Sequence, residues 1–116
     1  MVGNLGGTVL AFPGSKPNQV GFAREELMRI LDLYGRMVAA GEWRDYAMSF
    51  LRDAAIFSVF RRATEHPLYR IEKRPKLRQR QGQFAVFGPE GQVRRRGDDL
   101  AQVLKVFDAR RFKVIE

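Results

Sequence analysis

The clearest pattern in the chain begins at Phe22, where apolar residues start to recur at the spacing of an α-helix. One stripe follows intervals of three and four residues: Leu27, Ile30, Leu31, Tyr34, Met37 and Val38. Glu25 and Glu26 fall in the first turn, where acidic side chains complement the helix dipole. Gly41 suits the position just past a helix end. The pattern predicts a first helix that ends before Gly41.

A second stripe with helical spacing follows directly, and then the period changes. The second stripe consists of Trp43, Tyr46, Ala47, Phe50 and Leu51. It predicts a shorter second helix that ends near Asp53. Residues 55–62 lose this spacing and are rich in β-branched and aromatic side chains, which predicts a strand. Apolar residues on both faces indicate that this strand is covered on both sides.

The next part of the chain carries the signals of strands and turns. Residues 68–73 alternate between apolar and charged side chains, and Pro75 ends this predicted strand. After a polar loop, residues 83–96 predict a β-hairpin connected by the turn at 88–91. With Phe87 facing Gln92, the predicted register pairs Val86 with Val93 and Phe84 with Arg95. It sets these side chains on the opposite face: Ala85, Phe87, Arg94 and Arg96.

The two ends of the chain differ in character. Asp98 is the predicted N-cap of a last helix, whose apolar stripe is Leu100, Val103, Leu104 and Phe107. The final "RFKVIE" predicts a closing edge strand. Residues 1–21 are rich in glycine and predict a flexible leader in which "TVLAF" is at most a short strand. Residues 22–116 are therefore predicted to form a single domain.

The order of these elements predicts an α+β fold. An antiparallel sheet of about four strands is flanked by two N-terminal helices and one C-terminal helix. No apolar run approaches the roughly 18 to 20 residues that a membrane span needs, so we expect no membrane partner. The N-terminus lacks the pattern of an export signal. We therefore expect a cytoplasmic protein.

Several kinds of chemistry have little support in the sequence. The chain has no cysteine and a single histidine, His66, which lies in a predicted turn. This composition leaves no thiol nucleophile or thiolate metal site, and a Ser-His-acid arrangement would depend on His66 alone. Asp98 and Asp99 are more simply explained by helix capping than by carboxylate-pair catalysis. We expect no catalytic residue, no metal and no cofactor.

The net charge of +8 is concentrated in one third of the chain. Residues 61–97 hold eleven basic residues against three acidic ones, whereas residues 24–60 carry five against six. Such asymmetry is typical of a protein with an anionic partner, and arginine can bind phosphate with two hydrogen bonds. The candidate anion-binding residues are Arg61, Arg62, Arg70, Lys73, Arg74, Lys76, Arg78, Arg80, Arg94, Arg95 and Arg96. Tyr69 is a candidate for stacking on a base.

The basic region can also be interpreted without an anionic partner. Charged side chains protect edge strands from pairing with other chains, and many basic faces are only solvated. The aromatic side chains among the basic residues are equally consistent with burial in the hydrophobic core. The leading hypothesis is a non-enzymatic module that holds nucleic acid or another polyanion, with residues 94–96 as its strongest part. The alternative is a protein-interaction or regulatory subunit, including a homodimer, whose basic face is merely solvated.

Three long blocks of the chain resemble a known family. They are "YGRMVAAGEWRDYAMSFLRDAAIFSVFRR", "PLYRIEKRPKLRQRQGQF" and "RRRGDDLAQVLKVF". They are similar to a family of small alphaproteobacterial proteins that is defined as a domain of unknown function. The resemblance runs from about Phe22 to Phe107. It implies a bacterial, cytoplasmic protein and brings no established activity or site residue.

Overall fold

The structure is a computed structural model that describes residues 18–62 and 66–108. Its elements, in chain order, are α1 (Arg24–Ala39), β1 (Asp45–Phe50), β2 (Ala55–Phe60), β3 (Tyr69–Lys73), β4 (Phe84–Phe87), β5 (Val93–Gly97) and α2 (Leu100–Leu104). A 3₁₀ helix, Pro75–Leu77, lies between β3 and β4. The strands form one antiparallel sheet in the order β1-β2-β3-β4-β5. The predicted α+β class is confirmed.

The first predicted helix is confirmed as α1. The Glu26 carboxylate accepts a hydrogen bond from the Ala23 N–H at 2.7 Å, which satisfies one donor at the helix start. The buried side chains of α1 are Leu27, Ile30, Leu33 and Met37. Leu31 and Val38, which belonged to the predicted stripe, are 37% and 39% exposed. The buried stripe is therefore rotated toward Leu33.

The predicted second helix is wrong, because Asp45–Phe50 forms the edge strand β1. Tyr46, Met48 and Phe50 also alternate with a period of two, so this stretch satisfies a strand pattern as well as a helical one. Pairing with β2 along its whole length decides between the two. The Tyr46 ring stacks on Phe57 of β2 with centroids 4.9 Å apart. The sheet consequently has five strands rather than about four.

The β4–β5 hairpin is confirmed, but its predicted register is wrong. The Gly88 N–H donates to the Gln92 carbonyl at 2.8 Å, as the predicted turn requires. A β-bulge then makes Arg94 an extra residue, so that Val86 lies opposite Arg95 instead of Val93. Phe84 correspondingly lies opposite Gly97 rather than Arg95. The bulge moves Arg94 away from the face that it was predicted to share with Arg96, whereas Arg95 and Arg96 keep their predicted faces.

The ends of the domain also differ from the prediction in detail. Asp99, not Asp98, caps α2, since its carboxylate accepts from the Ala101 N–H at 3.0 Å. Val20 belongs to the predicted leader, yet its N–H donates to the Leu51 carbonyl at 2.8 Å and its side chain packs against the core. The rest of that leader up to residue 17, and the predicted closing strand at 111–116, lie outside the described residues.

Both helices pack on one face of the sheet, which we call the helix side. The core there joins α1 and α2 to the buried strand residues Phe57, Ile71 and Val86. The opposite face, which we call the open face, carries no helix among the described residues. On the open face of β2, which was predicted to be covered on both sides, Ile56 and Phe60 are partly exposed. No helix in the described part of the chain is long and apolar enough to cross a membrane.

Candidate functional site

The open face is organised in two rows of side chains that cross the strands. The first row runs Ala47, Ser58, Arg70, Phe87 and Val93, and the second runs Ser49, Ile56, Glu72, Ala85 and Arg96. On β1 and β2 these rows consist of the uncharged residues Ala47, Ser49, Ser58 and Ile56. The basic and aromatic side chains are concentrated on the β3–β5 half of the face.

Phe87 lies at the centre of this basic half. The guanidinium carbon of Arg70 is 5.2 Å from the Phe87 ring centroid, and that of Arg96 is 5.8 Å from it. Cations over an aromatic face are attracted by its quadrupole. The ring and both guanidinium groups are partly exposed. They therefore form a continuous surface of flat groups that carries two positive charges.

Glu72 fixes the positions of two arginines on this face. Its carboxylate accepts from Arg70 Nε at 3.3 Å through one oxygen and from Arg74 Nε at 3.2 Å through the other. The Glu72 residue is only 5% exposed, so its charge is held under the two guanidinium groups. A buried carboxylate needs such partners. The pairing orients both arginines and leaves the cluster of Arg70, Arg74 and Arg96 with an excess of positive charge.

A basic loop borders the open face and is ordered by one aspartate. We define the basic loop as residues 74–83, closed by a hydrogen bond of 2.7 Å from the Arg74 N–H to the Gln83 carbonyl. Both Asp98 carboxylate oxygens accept backbone N–H groups of this loop, from Gln79 at 2.9 Å and from Gln83 at 2.7 Å. Arg96 Nη1 donates to the Gly82 carbonyl at 3.2 Å. The loop is thereby attached to β5 and to the start of α2.

Lys73 and Tyr69 are predicted site residues that lie away from the open face. Lys73 lies on the helix side, where its Nζ binds the Glu26 carboxylate at 2.8 Å and the Gly21 carbonyl at 3.2 Å. Tyr69 is 7% exposed, and its ring packs edge-on against Phe107 with centroids 5.0 Å apart. Both side chains hold the domain together. Phe87 is therefore a better candidate for base stacking than Tyr69.

Arg94 and Arg95 both reach the helix side, Arg95 as the predicted register had it and Arg94 because of the bulge. The Arg94 guanidinium carbon is 6.0 Å from the Tyr69 ring centroid, and Arg95 Nη1 donates to the Gln102 carbonyl of α2 at 2.9 Å. The prediction that Arg94 shares a face with Arg96 is wrong for this reason. Of the three consecutive arginines, only Arg96 belongs to the open face.

The remaining predicted residues fall into two groups. Lys76, Arg78 and Arg80 are exposed on the basic loop, and Lys76 Nζ lies 3.2 Å from an Asp53 carboxylate oxygen. Arg61 and Arg62, at the end of β2, line a separate cleft of about 450 Å³ near the end of α1. The cleft is also lined by Val38, Gly41, Glu42, Trp43 and Arg44. The eleven predicted basic residues thus do not form a single surface.

One groove on the helix side is mainly acidic. A groove of about 970 Å³ between the starts of α1 and α2 is lined by Glu25, Glu26, Asp32, Asp98 and Asp99, with Arg29 as its basic residue. These acids disfavour an anion there by like-charge repulsion. Among residues 18–62 and 66–108, no group of three or more side chains could hold a metal ion. Electrostatics therefore disfavours this groove as a site for an anion.

The sequence model of one protein family, described as a protein of unknown function (DUF2794), matches residues 20–104. The chain belongs to this DUF2794 family. The expected membership of an uncharacterised family is confirmed. Comparison with the curated proteins and with the solved structures finds no match. The matched range contains the whole sheet, so every residue of the open face belongs to the family domain.

Sequence reasoning missed two residues of this DUF2794 domain, Phe87 on the open face and Arg44 in the cleft beside Arg61 and Arg62. Phe87 was one of several aromatic residues among the basic positions, and only the β4–β5 register distinguishes it from the buried rings. Arg44 was assigned to the incorrect second helix and therefore separated from Arg61 and Arg62. The period-two alternation of Tyr46, Met48 and Phe50 was the signal that would have predicted β1.

Proposed function

We propose that this DUF2794 protein is a non-enzymatic binding module whose open face holds a polyanion, and that this polyanion is single-stranded nucleic acid. The observation that carries the proposal is the convergence of Arg70 and Arg96 on the ring of Phe87, on a sheet face without a covering helix among the described residues. Proteins that bind single strands combine a basic track with flat groups on which bases stack. This cluster offers both within one patch.

The fixed positions of the arginines support binding of phosphate. Glu72 holds the Arg70 and Arg74 side chains, so less side-chain entropy is lost when an anion binds. Each guanidinium still has terminal N–H groups beyond the Nε that Glu72 engages, and arginine can bind a phosphate through two of them. One carboxylate therefore orients the cations without cancelling their combined charge.

A single strand suits this surface better than a duplex. Reading a duplex usually requires a helix or a β-ribbon that enters a groove, whereas the open face is the flat side of a sheet. Phosphate contacts from arginine carry little sequence information, and stacking tolerates any base. We therefore expect weak sequence preference and a strong dependence on salt.

Fluorescence anisotropy with labelled single- and double-stranded DNA and RNA tests this proposal. With three phosphate contacts, affinity for a single strand should fall about 20-fold between about 50 and 200 mM salt. The variant Arg70→Gln/Arg96→Gln should bind far more weakly and lose most of that salt dependence. The matched control is Arg94→Gln/Arg95→Gln, which removes the same amount of charge from the helix side of β5.

The control variant distinguishes binding at the open face from a general effect of net charge on affinity. Equal weakening by the two double variants would contradict the open face, because net charge alone would explain the loss. Absence of binding by the wild-type protein to every probe at low salt would reject nucleic acid. It would favour the alternative of a protein-interaction or regulatory subunit. Unchanged melting temperatures of both double variants would exclude unfolding as the cause.

A further inference from the structure

The two edges of the sheet are protected very differently. β5 carries three consecutive arginines and a β-bulge, and both features discourage pairing with another strand. β1 has neither: its residues pair with β2 in an unbroken register, and its sequence DYAMSF contains no lysine, arginine or proline. Within residues 18–62 and 66–108, no strand pairs with the outer edge of β1. Natural proteins usually protect such an edge.

The outward backbone groups of β1 can be assigned from the ladder. The Leu51 N–H donates to the Ala54 carbonyl at 2.8 Å across the β1–β2 turn. Because hydrogen-bonded pairs alternate in an antiparallel ladder, the odd-numbered residues of β1 bond inward to β2. The N–H and C=O groups of Tyr46, Met48 and Phe50 therefore point away from the sheet. Tyr46 is also 44% exposed and Leu51 49% exposed at this edge.

We propose that the outer edge of β1 pairs antiparallel with β1 of a second copy of this chain, giving a homodimer with one continuous sheet. An antiparallel strand is complementary to itself about a twofold axis. An axis through Met48, for instance, sets Tyr46 of one copy opposite Phe50 of the other. The outward N–H and C=O groups of each strand then face those of its partner. The axis stands perpendicular to the sheet, so the helices of both copies lie on the same side.

The charge distribution favours a second copy at this edge. A chain of net charge +8 repels itself, so self-association needs an interface remote from its excess charge. β1 carries Asp45 as its charged residue, whereas the basic cluster lies on β3, β5 and the basic loop. Pairing through β1 keeps the basic half of each open face, on β3–β5, away from the paired edge, where Arg44 and Arg52 are the basic residues that flank β1. It also makes the two open faces into one surface, although the pairing itself does not depend on the proposed nucleic-acid function.

Sedimentation equilibrium on nucleic-acid-free protein tests the pairing. The wild-type chain, of 13.3 kDa, should show twice that mass at the upper end of a concentration range of about 1–200 µM. Met48→Pro removes an outward N–H without removing a bond to β2, and proline is tolerated on edge strands. Ser49→Lys places a charge on the same edge. Each variant should raise the dissociation constant at least tenfold.

The matched control is Val93→Lys, which adds the same charge to the other edge strand. This variant should remain as dimeric as the wild-type protein. A wild-type chain that stays monomeric throughout the range, as it would if another segment covered β1, overturns the proposal. So does a dimer that both β1 variants leave intact, or one that Val93→Lys weakens equally. Circular dichroism melts of each variant separate dissociation from unfolding, and Ser49→Lys keeps the test valid if Met48→Pro does not fold.

Discussion

Gly82 of the basic loop lies directly against the backbone of Gly97 at the end of β5. Its φ is +106°, and a Cβ added there would lie 2.7 Å from the Gly97 Cα and 2.8 Å from the Gly97 N and C atoms. All three are backbone atoms, which cannot rotate away. The adjacent Asp98 holds the loop in place through two further hydrogen bonds. We therefore expect Gly82→Ala to displace the loop and destabilise the domain.

Gly91 provides the matched control for the size of this effect. Its φ is +84°, yet an added Cβ would have no heavy atom within 4 Å. Both alanine variants incur the cost of a positive φ, about 1–2 kcal/mol, and this cost largely cancels in their comparison. Only Gly82→Ala adds steric overlap, and overpacking typically costs about 1–3 kcal/mol. The free energy of unfolding should therefore be lower for Gly82→Ala by about that amount.

Urea denaturation measures this difference directly. Trp43 is the single tryptophan and is 3% exposed, so its fluorescence reports unfolding of the core. In thermal melts, each 1 kcal/mol should lower the transition by about 4–8 °C for a domain of this size. Equal stability of the Gly82→Ala and Gly91→Ala variants would refute the close approach of the loop to β5.

Three further predictions concern side chains that order the domain. Asp98→Ala should lower the unfolding free energy by about 1–3 kcal/mol in urea denaturation, because two loop N–H groups lose a charged acceptor; unchanged stability would contradict this role. Lys73→Met should reduce the melting temperature by removing the ion pair with Glu26, while nucleic-acid affinity measured well below the transition stays unchanged. Partial burial, and then the nearby Asp45 carboxylate, raise the pKa of Tyr34 above 10.0. The folded protein therefore holds the Tyr34 hydroxyl proton more tightly than the unfolded chain does. The contribution of the protonated Tyr34 to the free energy of unfolding is complete below pH 10.0 and is lost as the pH rises through the folded pKa. Unfolding measured at increasing alkaline pH should accordingly show a smaller loss of stability for Tyr34→Phe than for the wild-type protein.

Local signals were sufficient to predict α1 and the hairpin turn. The acidic first turn and Gly41 delimit α1, and the glycines of the turn need no information from the rest of the chain. β1 is different, because its residues satisfy helical and strand periods equally well. Only pairing with β2 decides between them, and that contact is not visible in a local pattern. The number of strands and helices was wrong for this one reason.

The composition of the basic region was predictable, whereas its geometry was not. A shift of one residue moves a side chain to the other face of a strand. The bulge at Arg94 makes such a shift, and it separates Arg94 from Arg96, which a regular strand would place on one face. The same register brings Arg96 and Arg70 together over Phe87 from different strands. The cluster thus depends on a backbone irregularity that hydrophobic periodicity does not encode.

An NMR titration would test most directly whether the open face is the binding surface. The protein would be labelled with ¹⁵N and titrated with a single-stranded oligonucleotide of about ten nucleotides at low salt. We predict saturable shifts of the Nε–Hε signals of Arg70 and Arg96 and of the Phe87 backbone amide, with Arg94 and Arg95 little affected. Shifts confined to the cleft formed by Arg44, Arg61 and Arg62, or no shifts at all, would contradict the account.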